Sequence, residues 1–183
     1  MVRPQIVLLL SALLLFANCG QPEPRRPIQQ KTGKYFGANV ARNKALLEEE
    51  QQLIKAIIEQ DSLHHYEHSA SGSWYYYIRK NDTATYLPKA NDLVTIAYNV
   101  VSFDNDTIYS GEEIGIKKYK VDMEELFPGL RYSVKLLKEN ESATFLFPSS
   151  LGYGYQGDGD KIGVNVPLKS TLTVLKIEKE QTP

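Results

Sequence analysis

The chain is poor in the residues that build metal sites, disulfide scaffolds and membrane spans. Among 183 residues there are one cysteine, three histidines, two methionines and one tryptophan. A single cysteine excludes an internal disulfide framework, so the fold must rest on a hydrophobic core. Charge of one sign is also lacking: 21 basic residues face 22 acidic ones, a formal net charge of -1. That argues against a nucleic-acid partner drawn in by a global positive field. The apolar run from Ile6 to Phe16, broken by Ser11, is too short to cross a bilayer comfortably. What is abundant is tyrosine, 12 against six phenylalanines, in a composition 42% hydrophobic and 23% charged. Such a composition is globular, with room for one domain and attachments. Tyrosine suits strands and pockets in which the ring is buried and the hydroxyl stays wet.

Met1-Val2-Arg3, the apolar run and then Cys19 read as a charged start, a hydrophobic stretch and a cleavage site. The expectation is a signal peptide over 1–18, with Cys19 lipidated as the new N-terminus. The alternative is an ordinary signal peptide, or an anchor helix with an incidental cysteine. Gly20 follows Cys19, which favours lipidation, whereas Asn18 stands where such signals carry glycine, alanine or serine. Acyl chains stabilise membrane attachment by about 0.8 kcal/mol per buried CH₂, so two or three hold a protein firmly. Residues 19–38, rich in proline with Arg25-Arg26 and Gln29-Gln30, have little to bury and read as a flexible tether.

Residues 39–69 read as an amphipathic helical arm. Leu46, Leu47, Leu53, Ile54, Ile57 and Ile58 recur at helical spacing, with Glu48-Glu49-Glu50 and Gln51-Gln52 on the opposite face. The stripe either packs on the following domain or pairs two copies as a homodimer through residues 39–60. His64 and His68 have a metal-binding i, i+4 spacing, yet no further histidine-carboxylate set completes a site and Ser69–Ser73 reads as loop. A frayed, solvated helix end is expected there, and no metal.

Residues 70–183 read as one β-rich domain. Strands are expected at Trp74–Ile78, Leu93–Val101, Thr107–Ser110, Ala143–Phe147 and Thr171–Ile177, with a hairpin turn at Asp104-Asn105-Asp106. The helical run in this domain is Glu124–Lys138, with Leu126, Phe127, Leu130, Val134 and Leu137 on one side and Pro128 in its first turn. Several strands with one helix across the sheet make an α+β domain.

Three strings carry more than this pattern. They are Leu126-Phe127-Pro128-Gly129-Leu130, then Phe147-Pro148-Ser149-Ser150-Leu151-Gly152-Tyr153-Gly154, then Val166-Pro167-Leu168-Lys169-Ser170-Thr171-Leu172. In this order they resemble the signature of the FKBP-type peptidyl-prolyl cis-trans isomerases, and the resemblance covers about Trp74 to Lys179. The tether, helix and Trp74-Tyr75-Tyr76-Tyr77 most resemble the lipoprotein members associated with gliding motility in Bacteroidetes.

The resemblance implies an FKBP-like twisted antiparallel half-barrel of five to six strands wrapped on one short helix, with the helical arm before it. It implies a rotamase acting on X-Pro bonds of secreted or envelope proteins, without a cofactor, membrane-anchored outside the cytoplasm. Carried over, Tyr98 and Tyr109 are pocket aromatics. Leu126 and Phe127 form a wall, and the Phe127 N–H donates to a substrate carbonyl. Leu130 is the floor, Tyr153 donates to the ligand backbone, Val166 is a wall and Val174 replaces a deep aromatic.

Three departures bear on catalysis. Ser110 stands where the family usually has an aspartate that orients the pocket tyrosine. Tyr109 adds a hydroxyl to an apolar position. Lys117 falls where another pocket aromatic sits, unless Tyr119 substitutes after a short shift. Together they imply a wider pocket and activity below that of a typical member; the preference for an apolar residue before proline follows instead from the dry aromatic cavity that the resemblance implies. The departures also leave a second expectation, an FKBP-fold chaperone or binding module without catalysis.

Overall fold

A computed structural model of the chain describes residues 33–180; the expected signal peptide, Cys19 and most of the tether lie outside them. Among the described residues no helix is long and apolar enough to cross a membrane. In chain order the elements are α1 (Gly33–Gln60), β1 (Glu67–His68), β2 (Trp74–Arg79), β3 (Leu93–Tyr98), β4 (Val100–Val101) and β5 (Thr107–Tyr109). They continue with α2 (Gly111–Ile114), β6 (Lys117–Lys120), α3 (Pro128–Val134), β7 (Ser142–Phe147), a 3-10 turn (Ser149–Leu151) and β8 (Leu168–Glu178). The packing described below lies within the unit Asn39–Pro183.

The strands form one antiparallel sheet in the order β1-β2-β7-β8-β3-β6, with β4 paired to both β5 and β8. Eight strands stand where five to six were expected, and two of the additions, β4 and β6, have a local cause. The run Leu93–Val101 divides at Asn99 although its register against β8 is kept there: Tyr98 faces Leu172 and Val101 faces Lys169, and the register shift lies earlier, between Thr95 and Ile96. At the break the Asn99 side-chain carbonyl accepts the Thr171 N–H at 2.8 Å. The Asn99 backbone carbonyl accepts the Ser170 hydroxyl instead, at 2.6 Å. Edge strand β6 escaped the sequence reading because three of its four residues are lysines, a charge pattern that protects a sheet edge.

Alternation decides the core. On one face Tyr75, Val94, Ile96, Phe145, Phe147, Leu172 and Val174 are buried, and Leu130, Val134 and Leu137 from α3 and its exit close over them. Phe145 and Phe147 stack with ring planes 1° apart. On the other face Ser142 bonds Thr173 and Thr144 bonds Thr171 across the strand pair.

Helix α3 is shorter than the expected Glu124–Lys138. A proline ring disfavours helical geometry in the residue before it, and Phe127 is extended with ψ 150°, leaving Pro128 at the first helical position. Close approach of α3 to the sheet requires Gly129, where a Cβ would lie 2.6 Å from the Phe147 ring.

Helix α1 begins at Gly33, ahead of the expected Asn39, and no proline lies between the two to stop it. Its buried face is narrower than the apolar stripe suggests: Ile54 is 1% exposed while Leu53 is 50% exposed. Glu50, expected on the polar face, is buried, because its carboxylate accepts the Ser149 N–H at 2.9 Å. His64 is not part of a frayed helix. Its ring stacks on Tyr76 with centroids 3.9 Å apart, and its Nδ1 lies 2.8 Å from the Asp61 carboxylate.

Candidate active site

The same alternation that buries Val94 and Ile96 places Tyr98 on the core-facing side at the end of β3, where the chain breaks at Asn99. Tyr109 ends β5 opposite Val100. Phe127, held extended by Pro128, sets its ring against Phe147 and Tyr153, with centroids 5.5 and 5.4 Å away. Tyr153 follows the 3-10 turn begun by Pro148, and Gly154, at φ 56°, turns the chain while its N–H returns to the Ser149 carbonyl.

These side chains wall two adjoining clefts that share Tyr98 and Tyr153. One, of about 300 Å³, adds Val100, Tyr109, Glu113, Ile114 and Lys117. The other, of about 490 Å³, adds Glu125, Leu126, Phe127, Pro128, Arg131 and Gly152. Of the site residues drawn from the sequence, Tyr98, Tyr109, Leu126, Phe127 and Tyr153 therefore come together. Leu130 and Val174 are fully buried beneath them, in the core. Val166 is half-buried and packs against that core without lining either cleft.

Burial raises the pKa of both shared phenols; nearby Tyr98 and Asp158 add to the effect at Tyr153. Both hydroxyls stay protonated at neutral pH, and neither has a hydrogen-bond partner among the described residues. They are donors facing a partly desolvated space. Tyr109 differs: its hydroxyl donates to Asp158 Oδ2 at 2.6 Å, which, with burial, pushes its pKa up to about 12. Its ring can therefore line the cleft while its polar end is satisfied elsewhere.

The departures from the family pattern resolve individually. The Ser110 hydroxyl accepts the Glu113 N–H and caps α2, a structural task that leaves Tyr98 unheld. Tyr119 is buried in the core opposite Val94, so it does not stand in for a pocket aromatic, and Lys117 itself lines the cleft. Asp158 and Lys161 were not picked out from the sequence. Lys161 pairs with Glu113 at 2.5 Å and lies 4.6 Å from the Tyr109 ring centroid. With Asp158 it ties the 154–166 loop to β5 and α2. Only the Gly-Asp-Gly-Asp turn composition hinted at that loop, and it says nothing of its partners.

Fold and cleft together define an α+β domain in which a sheet wraps one short helix and opens into a cleft lined by aromatic side chains. The chain belongs to the FKBP-type peptidyl-prolyl cis-trans isomerase family, whose model matches residues 84–175, half of the chain. It is 29% identical over 150 residues to the probable FKBP-type peptidyl-prolyl cis-trans isomerase FkpA of Neisseria meningitidis. That match covers 82% of this chain but 53% of the relative, so the chain spans about half the length of the curated relative it matches. Among solved structures, it resembles a peptidyl-prolyl cis-trans isomerase from Pseudomonas syringae at a TM-score of 0.60 and 19% identity, over 74% of this chain and 96% of that one. FkpA from Escherichia coli gives a TM-score of 0.59 at 18% identity, over 95% of this chain and 82% of that one. These two likenesses bear on the fold.

Proposed function

We propose that the protein is a prolyl isomerase of the cell envelope, acting on X-Pro bonds of secreted or envelope proteins. The observation that carries this reading is the convergence of Tyr98, Phe127 and Tyr153 on one half-buried cleft. The barrier to amide rotation, about 18–20 kcal/mol, is set by resonance. In the twisted transition state the carbonyl oxygen loses negative charge and needs less hydration. An aromatic wall that excludes water therefore binds the twisted amide better than the planar one, which is catalysis by differential binding. Tyr153 supplies a hydroxyl donor and Phe127 an N–H that has no partner among the described residues. Both orient the substrate backbone.

The test is acceleration of a proline-limited refolding reaction by the full chain in detergent. Uncatalysed isomerisation takes about 10–100 s, so the rate is easily followed. A second reading, a chaperone or binding module without catalysis, is favoured by Lys117 in the cleft and by Ser110 engaged in capping. Suppressed aggregation without faster refolding selects it.

The proposal extends to location and partners. Lipidation at Cys19 would hold the protein on a membrane facing away from the cytoplasm; an unmodified mature N-terminus beyond residue 19, found by mass spectrometry, removes this element. Exposed Leu47 and Leu53 on α1 support a homodimer through residues 39–60, tested by sedimentation. A role in gliding motility rests on the resemblance of the tether, helix and Trp74 strand, and loss of motility on gene deletion tests it.

A further inference from the structure

Lys117 sits on β6 opposite Ile96, on the strand face it shares with buried Tyr119, and its side chain lines the cleft with Tyr98, Tyr109 and Tyr153. The other charges there are already engaged. Glu113 pairs with Lys161 at 2.5 Å. Asp158 accepts the Tyr109 hydroxyl and the N–H groups of Asp160 and Ile162. Asp160 reaches the Tyr109 hydroxyl at 3.4 Å and is not among the residues lining the cleft. Lys117 is the one cation among the residues lining this cleft, and it has neither an ion pair nor a side-chain hydrogen bond among the described residues; Arg131, likewise unpaired, lines the adjoining cleft, and Lys118 and Lys120 on the same strand as Lys117 reinforce its field.

We infer that Lys117 sorts substrates by charge, favouring an acidic side chain immediately before the proline over a basic one. This rests on the isomerase reading above. An incoming acidic residue finds an ammonium with no competing partner, whereas a basic residue meets like charge at the same point. Because the group is solvent-accessible, the discrimination is modest and is screened by salt.

The test uses the full chain in detergent and three peptides that differ only in the residue before proline: glutamate, leucine or lysine. The readout is the ratio of kcat/KM for Glu-Pro to that for Lys-Pro. A ratio of about fivefold is expected at low salt, falling toward one at about 0.5 M salt. Lys117→Gln is expected to bring the ratio close to one at low salt, and Lys117→Glu to invert it. Turnover of the Leu-Pro peptide with an identical Glu-to-Lys ratio in all three proteins overturns the inference and leaves the isomerase standing. Failure to turn over any of the three peptides by wild type overturns both.

Discussion

The Tyr109 hydroxyl reaches the Asp158 carboxylate at 2.6 Å across 49 positions of sequence. The acid missing at position 110 is the group expected to orient Tyr98; this contact holds Tyr109 instead. It holds that ring by its polar end and ties the 154–166 loop to the end of β5. Asp158→Ala is expected to lower kcat/KM for isomerisation about fivefold. Tyr109→Phe removes the group that needed an acceptor, so it costs less, and the double variant is no worse than Asp158→Ala. NMR of ring-labelled tyrosine supplies an independent readout: in Asp158→Ala the Tyr109 phenol is expected to titrate nearer the ordinary value of about 10.

Gly129 is a packing requirement. A Cβ there would lie 2.6 and 2.7 Å from two carbons of the Phe147 ring and 2.9 Å from the Leu151 carbonyl oxygen. Phe147 is fully buried and stacked on Phe145, so it cannot yield. Gly129→Ala is expected to cost about 1–3 kcal/mol, lowering Tm by several degrees. It also lowers activity, because a displaced α3 carries Phe127 with it. Thermal unfolding beside the isomerase assay checks both.

Two buried carboxylates set the acid limit of stability. Glu141, 1% exposed, accepts the N–H groups of Asn81 and Lys138 and pairs with the Lys138 ammonium at 3.2 Å. Asp92, 2% exposed, accepts from the Tyr86 hydroxyl and from the Lys89 and Glu180 N–H groups. Burial alone would raise both pKa values, but these bonds outweigh it and hold both below the usual carboxylate range. A folded-state pKa below the unfolded one gives stability that is fully present above the unfolded value, near pH 4, and is lost as pH falls through the folded value. Glu141→Gln removes the ion pair and turns an amide donor toward N–H groups. It is expected to cost about 2–4 kcal/mol at pH 7 and to flatten the loss of stability below pH 4, as read by urea unfolding.

What was legible in the sequence is what depends on local pattern. Val94, Ile96 and Tyr98 alternate, so their shared face follows from the strand period, whereas the apolar spacing locates α3 without its bounds, the expected run starting at Glu124 and the helix at Pro128. Long-range polar contacts left no such trace. Asn99 reads as one more strand residue until its side-chain carbonyl is seen replacing its backbone carbonyl as the acceptor for the Thr171 N–H, while its own N–H still donates to Thr171. Glu50 belongs to an acidic run, and only the Ser149 N–H draws it onto the buried face of α1. Lys117 was placed at a pocket position by the resemblance, but that it has no side-chain partner among the described residues is a fact of three dimensions.

Tyr153 and Phe127 separate chemistry from packing. The Tyr153 hydroxyl has no protein acceptor among the described residues, so Tyr153→Phe leaves the core intact and removes one donor to the substrate. That is about 1–1.4 kcal/mol, a five- to tenfold fall in kcat/KM with Tm unchanged. Phe127 meets Phe147 edge-on and touches Tyr153, and it is 7% exposed. Phe127→Ala therefore opens both the cleft wall and the core, costing about 3–5 kcal/mol of stability. Its activity must be compared at a temperature where the variant remains folded. There the fall is expected to exceed that of Tyr153→Phe, since the wall excludes water from the twisted amide while the hydroxyl only orients it. If Phe127→Ala, shown to be folded, keeps wild-type activity, the aromatic wall is not what favours the twisted amide.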